Sequence, residues 1–89
     1  FYSGDLDPDT ADFGDGIEPS FYKPGQTSPS GSDAGAIATW AWGYHRVVDF
    51  LIEKHPEIDS KRIAAVGHSR NGKTTLLAAA MDERIALAI

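Results

Sequence analysis

Residues 62–74, with the sequence RIAAVGHSRNGKT, decide the fold of this chain. The stretch opens with a short apolar run and then passes Gly67, Ser69 and Gly72 before a segment compatible with a helix. This pattern predicts a buried strand that turns sharply through glycines into a helix. Two unrelated chemistries use this geometry, and the residues around the turn must distinguish between them.

The serine in this turn is the first candidate for chemistry. A nucleophilic serine needs a backbone that lifts its hydroxyl clear of its neighbours, and a glycine two positions earlier permits strand and helix to approach closely. Gly67 occupies that position relative to Ser69, whereas Asn71 stands where a second glycine is usual. Asn tolerates unusual backbone angles, and Gly72 follows it directly. The pattern predicts a nucleophile elbow over residues 68–72.

The residues after the serine indicate how such a turn would act on a substrate. Attack by Ser69 on an ester carbonyl creates an oxyanion, which the backbone N–H of Arg70 and the positive end of the helix would face. The Arg70 side chain can add a fixed positive charge. Lys73 lies one helical turn beyond the serine on the same face, where it can contact substrate oxygens.

The same residues also fit a phosphate-binding loop. From Gly67 to Thr74 the chain satisfies the pattern GxxxxGK[ST], in which Lys73 would contact phosphates and Thr74 would hold magnesium. Against this alternative, the chain offers no apolar strand ending in Asp as a magnesium partner, and a long aromatic helix precedes the loop. The alternative stays open at this point.

Outward from the turn, the predicted elements follow in an order typical of α/β proteins. Apolar residues at three- and four-residue spacing predict a helix that Ser32 or Asp33 caps. The predicted organisation is a loop-rich segment over 1–32, this helix over 33–55, a strand over 62–67, the elbow over 68–72, a second helix over 72–81 and the start of another strand over 84–89. This order predicts a doubly wound parallel sheet in which the first strand is buried on both faces.

Composition excludes some classes of partner, and the chain ends indicate how much of a domain is present. The 89 residues carry a formal net charge of -5, so no basic stripe is present for nucleic acid or anionic lipid, and we expect neither as a partner. The absence of cysteine excludes disulfides and thiolate metal sites. Because Phe1 is not methionine and the last residues read as a strand, we expect a piece of a larger domain, cut at both ends.

An acidic segment near the start has the beginning of a calcium-loop pattern. Asp5, Asp7 and Asp9 have the spacing of the first ligands, but Thr10 stands where the loop needs glycine and Gly16 where it needs glutamate. We therefore interpret the segment as a solvated or turn-forming acidic loop and predict no metal site.

Three stretches together resemble the glucuronoyl esterases of carbohydrate esterase family 15. They are AGAIATWAWGYHRVVDFL at 34–51, PEIDSKRIAAVGHSRNGKTTLLAAAMDERIALAI at 56–89 and, less specifically, YSGDLDPD at 2–9. The resemblance implies an α/β-hydrolase three-layer sandwich with a parallel central sheet, of which residues 1–89 would be an internal fragment. It implies cleavage of esters between (4-O-methyl-)glucuronic acid of xylan and lignin alcohols, without a cofactor or metal. Ser69 would be the nucleophile, Arg70 would stabilise the oxyanion, and Lys73 would bind hydroxyls of the uronate sugar.

The resemblance also implies what these 89 residues lack. In the family the catalytic histidine and acid come later in the chain than the elbow, and neither His45, His55 nor His68 matches that histidine. We expect the fragment alone to be nearly inactive. Some members have a disulfide-bonded cysteine where this chain has His68, so the chain resembles the cysteine-poor, bacterial-like branch. The family resemblance also implies a secreted or periplasmic protein. We predict that His68 itself is packed or supports other residues rather than acting in catalysis.

Overall fold

Two helices and two strands form the framework that carries the turn. The structure, a computed structural model, describes residues 1–10 and 14–89. Its elements are helix α1 (Ala36–Lys54), strand β1 (Ile63–Ala65), helix α2 (Arg70–Met81) and strand β2 (Ile85–Ala88). Short 3₁₀ helices span Ser3–Asp5 and Glu18–Phe21 within the segment predicted as loop over 1–32, and part of that prediction falls on 11–13, outside the described residues.

The two strands pair in parallel, as a β-α-β unit requires. Ile63 lies opposite Ile85 and Ala65 opposite Ala88, with an irregularity in register after Ile63. The pairing continues into the turn, because the amide of Gly67 donates to the carbonyl of Ile89 at 3.0 Å. The chain is therefore of the α/β class with a parallel sheet, and the turn leaves the sheet at the carboxyl end of β1.

A single apolar cluster joins both helices to one face of the sheet. Ala78 of α2 has no exposed surface, and the other buried members come from α1 and the strands. The cluster consists of Ala41, Val48, Ile63, Ala65, Ala78 and Ile85. His45 of α1 also contacts the carbonyl oxygen of Ala78 through Nε2 at 3.0 Å. Both helices therefore pack on the same face of the sheet.

The opposite face of the sheet is open in this chain, and two element boundaries differ from the prediction. Ala64 and Val66 are exposed, Val66 by 67 %, because no described element covers that face. The strand predicted over 62–67 is confined to Ile63–Ala65, and its burial on both faces stays a prediction for the whole domain. The second helix begins at Arg70 rather than at residue 72, so the elbow is tighter than predicted.

The predicted N-cap of the first helix is wrong. The helix begins at Ala36, and Gly35 occupies the N-cap position without any side-chain cap. The predicted cap Asp33 is engaged elsewhere, since its carboxylate accepts hydrogen bonds from the Ser30 amide at 2.8 Å and from the Gln26 side chain. A local turn outcompetes the helix for this carboxylate, which is a known property of Asp near helix starts.

The acidic segment is anchored to α1 at Asp7, whereas Asp5 and Asp9 are exposed. The indole Nε1 of Trp40 donates to the carbonyl oxygen of Asp7 at 2.7 Å, and Asp7 is only 3 % exposed. Glu18, 1 % exposed, lies beside it and accepts a hydrogen bond from the Tyr22 hydroxyl at 2.7 Å. Of the two predicted alternatives, a solvated or a turn-forming loop, the first is therefore wrong for Asp7. Among the described residues, no group of three or more His, Cys, Asp or Glu could hold a metal ion.

The buried pair of carboxyl groups makes stability depend on pH. Burial, followed by the adjacent Glu18 and the more distant Asp15, raises the pKa of Asp7 to about 6 from a usual 3.8. The folded state then binds more protons than the unfolded state between these values, so stability falls as pH rises through this window. We expect Asp7→Asn to leave Tm unchanged near pH 4 and to raise it relative to the parent at pH 7.5.

The measurement is thermal unfolding of the full-length protein across this pH range. Asp5→Asn is the matched control, because it removes the same charge from an exposed position in the same segment. A Tm difference between the Asp7→Asn variant and the parent that is the same at pH 4 and pH 7.5 would contradict the assignment.

Candidate active site

Ser69 has a backbone conformation that side chains rarely adopt. Its φ of 57° and ψ of -119° make it the one non-glycine residue with positive φ in the described part of the chain. Such a conformation costs on the order of 1–3 kcal/mol and persists only where the surroundings impose it. The strand-to-helix turn thus presents an exposed serine in the strained geometry of a nucleophile elbow.

Two glycines allow this turn to close. A Cβ on Gly67 would overlap the backbone carbonyl of Asn71 and approach Thr75 Oγ1 to 2.6 Å. A Cβ on Gly72 would lie 3.2 Å from the carbonyl oxygen of Gly67, which is tight for any side chain. Asn71 lies within the first turn of α2, so the second close approach occurs at residue 72. This geometry explains why a glycine is not required at position 71.

Helix α1 supports the turn from behind. The hydroxyl of Tyr44 donates to the carbonyl oxygen of Val66 at 3.2 Å and lies 3.3 Å from Thr75 Oγ1. These contacts tie the end of β1 to both helices across more than 20 residues of sequence. The strain at Ser69 is therefore held by long-range packing as well as by the local turn.

Two features of the turn disfavour a phosphate cradle. The amide of Asn71 donates to the carbonyl of His68, and that of Lys73 to the carbonyl of Ser69, both at 3.1 Å, so neither points outward. The Thr74 hydroxyl has no exposed surface and donates to the Arg70 carbonyl at 3.0 Å, which makes it unavailable to magnesium. The geometry therefore disfavours the phosphate-loop alternative.

A cavity of about 260 Å³ opens beside the serine. One wall comes from the elbow and the other from the N-terminal segment and α1. Its lining residues are Tyr2, Ser3, Gly4, Asp9, Trp40, His68, Ser69, Arg70 and Asn71. The mixed polar and aromatic lining offers hydrogen-bonding groups around an exposed hydroxyl, as a small polar substrate requires.

The predicted site residues take different places around this cavity. Ser69 and Arg70 line it, whereas the exposed Lys73 lies one turn further along α2 and does not. The Arg70 guanidinium donates from Nη1 to Oδ1 of Asp9, and both side chains are more than half exposed. The sequence analysis noted Asp9 in the calcium-like spacing and in the family-like stretch 2–9, but it did not predict the contact with Arg70.

The histidines within these residues do not complete a catalytic pair. His68 is exposed and lines the cavity, so of its two predicted roles the packed side chain is wrong, and the supporting role stays a prediction. His55 contacts Glu57 at 2.7 Å and His45 contacts the backbone of α2. Across 1–10 and 14–89, no histidine is hydrogen-bonded to the hydroxyl of Ser69, and the source of the general base stays a prediction.

Sequence comparisons agree with the resemblance. A family model described as "Glucuronyl esterase, fungi" matches residues 19–89. The chain is 46 % identical over 88 residues to "Carbohydrate esterase MZ0003" of an unknown prokaryotic organism, covering 99 % of this chain and 20 % of that protein. It is 50 % identical over 62 residues to "4-O-methyl-glucuronoyl methylesterase 1" of Phanerochaete chrysosporium, covering 67 % of this chain and 13 % of the relative. The chain thus spans at most a fifth of the length of these relatives.

Structural comparisons lead to the same group of proteins. A glucuronoyl esterase from Solibacter usitatus superposes with a TM-score of 0.84 at 45 % identity, covering 94 % of this chain and 21 % of that one. A promiscuous CE15 esterase from a marine bacterial metagenome gives 0.73 at 45 % identity, covering 96 % and 21 %. Since the family model matches from the loop before α1 through the strained serine to the last strand, this chain belongs to the glucuronoyl esterase family.

Proposed function

We propose that the protein containing this chain is a serine carboxylic-ester hydrolase that cleaves esters between (4-O-methyl-)glucuronic acid of xylan and lignin alcohols. The observation that carries this proposal is the strained backbone of Ser69 at the end of a parallel strand. Relatives named glucuronoyl methylesterases and glucuronoyl esterases support the substrate class. Because the chain spans a small part of those relatives, activity and substrate belong to the proposal.

The proposed reaction has two steps. Ser69 Oγ attacks the ester carbonyl, its proton passes to a histidine outside these residues, and that histidine protonates the departing alcohol. Water then attacks the acyl-enzyme, which releases the uronic acid and restores the serine. The oxyanion formed in each step would face the Arg70 amide, at the start of α2, together with the positive end of that helix. The Arg70 guanidinium would add charge stabilisation.

The same proposal extends to the whole domain. Two parallel strands with both helices on one face are compatible with an α/β-hydrolase three-layer sandwich, in which further elements would cover the exposed face. Residues 1–89 would then be a section of one catalytic domain. A secreted or periplasmic location follows from the family alone. Among the described residues, no helix is long and apolar enough to cross a membrane.

Lys73 is proposed to bind the sugar rather than to take part in bond cleavage. It is exposed and four residues beyond Ser69, so its ammonium can reach hydroxyls beside the reacting carbon. We expect Lys73→Ala to lower kcat/KM about tenfold on a glucuronate ester, mainly through KM, and to leave hydrolysis of a simple acetate ester within about twofold. Lys61→Ala, an exposed lysine outside the cavity, is the control. Equal losses on both esters would contradict this role.

The test of the proposed function compares three measurements on the full-length protein. They are hydrolysis of a benzyl glucuronate ester, hydrolysis of an acetate ester and binding of magnesium-ATP. We expect hydrolysis with preference for the uronate and no nucleotide binding. Absence of ester cleavage, together with ATP binding that Lys73→Ala abolishes, would overturn the proposal in favour of a phosphate loop.

A further inference from the structure

We propose that Asp9 is a positioning residue for Arg70, holding its guanidinium at the edge of the catalytic cavity. This inference rests on the proposed function and adds a residue to it. The two side chains come from opposite walls and are 61 positions apart in sequence. Their contact closes the N-terminal segment over the start of α2.

Asp9 is held in place by the residues just before it. Two positions earlier, Asp7 is buried and its carbonyl oxygen accepts the hydrogen bond from the Trp40 indole. Pro8 lies between them and fixes its own φ, which restricts the path from the anchor to the carboxylate. The Asp9 carboxylate therefore lies two residues from a contact that anchors the N-terminal segment to α1.

The contact leaves Arg70 able to act on substrate. A guanidinium has five N–H donors, and Asp9 engages it at Nη1, so other donors stay available to an oxyanion or a substrate carboxyl oxygen. Without a partner, an arginine at a helix start would be repelled by the positive end of the helix, and its long side chain would sample many rotamers. A carboxylate at the same place offsets that repulsion and selects one arrangement.

A contribution to folding stability does not account for the Asp9–Arg70 ion pair. With side-chain exposures of 60 % for Arg70 and 55 % for Asp9, the ion pair is solvated and contributes little to folding. Its effect should therefore appear in catalysis, where the position of a charge matters. Losing one preorganised oxyanion donor costs about 10²- to 10³-fold in rate, and a misplaced donor should lose part of that.

The decisive experiment is a double-mutant cycle in the full-length protein. We expect Asp9→Asn to lower kcat on a benzyl glucuronate ester about tenfold with KM within about twofold and Tm unchanged. In an Arg70→Ala background the same substitution should have no further effect on kcat. Asp9→Glu should restore part of the rate, and Asp5→Asn, exposed in the same segment and absent from the cavity lining, should behave as the parent.

Three results would overturn the inference. Equal losses from Asp9→Asn in both backgrounds would show that Asp9 acts without Arg70. An unchanged rate would remove any role, and a faster rate would mean that Asp9 competes with the substrate for Arg70.

A fluorophosphonate, whose phosphoryl oxygen occupies the same oxyanion position, separates this inference from the proposed function. If the parent is labelled at Ser69 but does not cleave uronate esters, the labelling rates of the four proteins of the double-mutant cycle test Asp9. These are the parent, the Asp9→Asn variant, the Arg70→Ala variant and the double variant. A parent that is neither active nor labelled contradicts both proposals.

Discussion

Replacing Ser69 with alanine is expected to reduce kcat on a glucuronate ester by about 10⁴- to 10⁶-fold in the full-length protein. The hydroxyl is the group that would form the acyl-enzyme. Tyr2 and Ser3 also carry hydroxyls that line the cavity, but neither has the strained strand-to-helix position that presents Ser69. Residual activity would come from the oxyanion site and substrate binding alone.

The measurement pairs steady-state kinetics with substrate binding. Ser69→Ala should keep its affinity for the uronic acid product, since the substitution removes one oxygen and leaves the cavity walls intact. Ser60→Ala, an exposed serine in the loop before β1, is the matched control and should retain full activity. Activity within tenfold of the parent in the Ser69→Ala variant would refute the assignment of the nucleophile.

Gly67→Ala is expected to give the largest loss of stability among single-methyl substitutions in the turn. The added Cβ would overlap the Asn71 carbonyl, which is fixed within the first turn of α2. Backbone atoms cannot rotate away as side chains do, so either α2 or the end of β1 must move. Overpacking of this kind costs about 1–3 kcal/mol and sometimes more.

The test is thermal unfolding of the full-length protein together with kcat of the folded fraction. Gly31→Ala is the matched control, because a Cβ at Gly31 meets nothing within 4 Å. Gly67→Ala should lower both Tm and kcat, since relief of the overlap displaces Ser69. A Tm equal to that of the Gly31→Ala variant would show that the turn tolerates a side chain and that the close approach is not required.

The parts of this molecule that could be predicted are those encoded locally. Gly67, Ser69 and the apolar residues of β1 lie within seven positions, and their order was enough to place a serine on a strand-to-helix turn. The α/β class followed from the alternation of elements. The role of Ser69 as nucleophile stays a prediction, as do those of Arg70 and Lys73.

The parts that could not be predicted depend on residues distant in sequence. Asp9 meets Arg70, and Asp7 meets Trp40, only after the N-terminal segment has packed on α1. Acidic residues among glycines and prolines are typical of solvated loops, so their pattern gave no sign of burial. The cap at Asp33 failed for a related reason, because a competing turn nearby used the same carboxylate.

The strained backbone of Ser69 lowers the free energy of unfolding of this protein. At φ 57° and ψ -119°, glycine would be the residue of lowest conformational energy, yet glycine carries no hydroxyl. If Ser69 is the nucleophile proposed here, selection for stability and selection for turnover oppose each other at this single position. Engineering for heat tolerance would then have to stabilise other parts of the molecule, because relaxing this backbone would remove the proposed nucleophile.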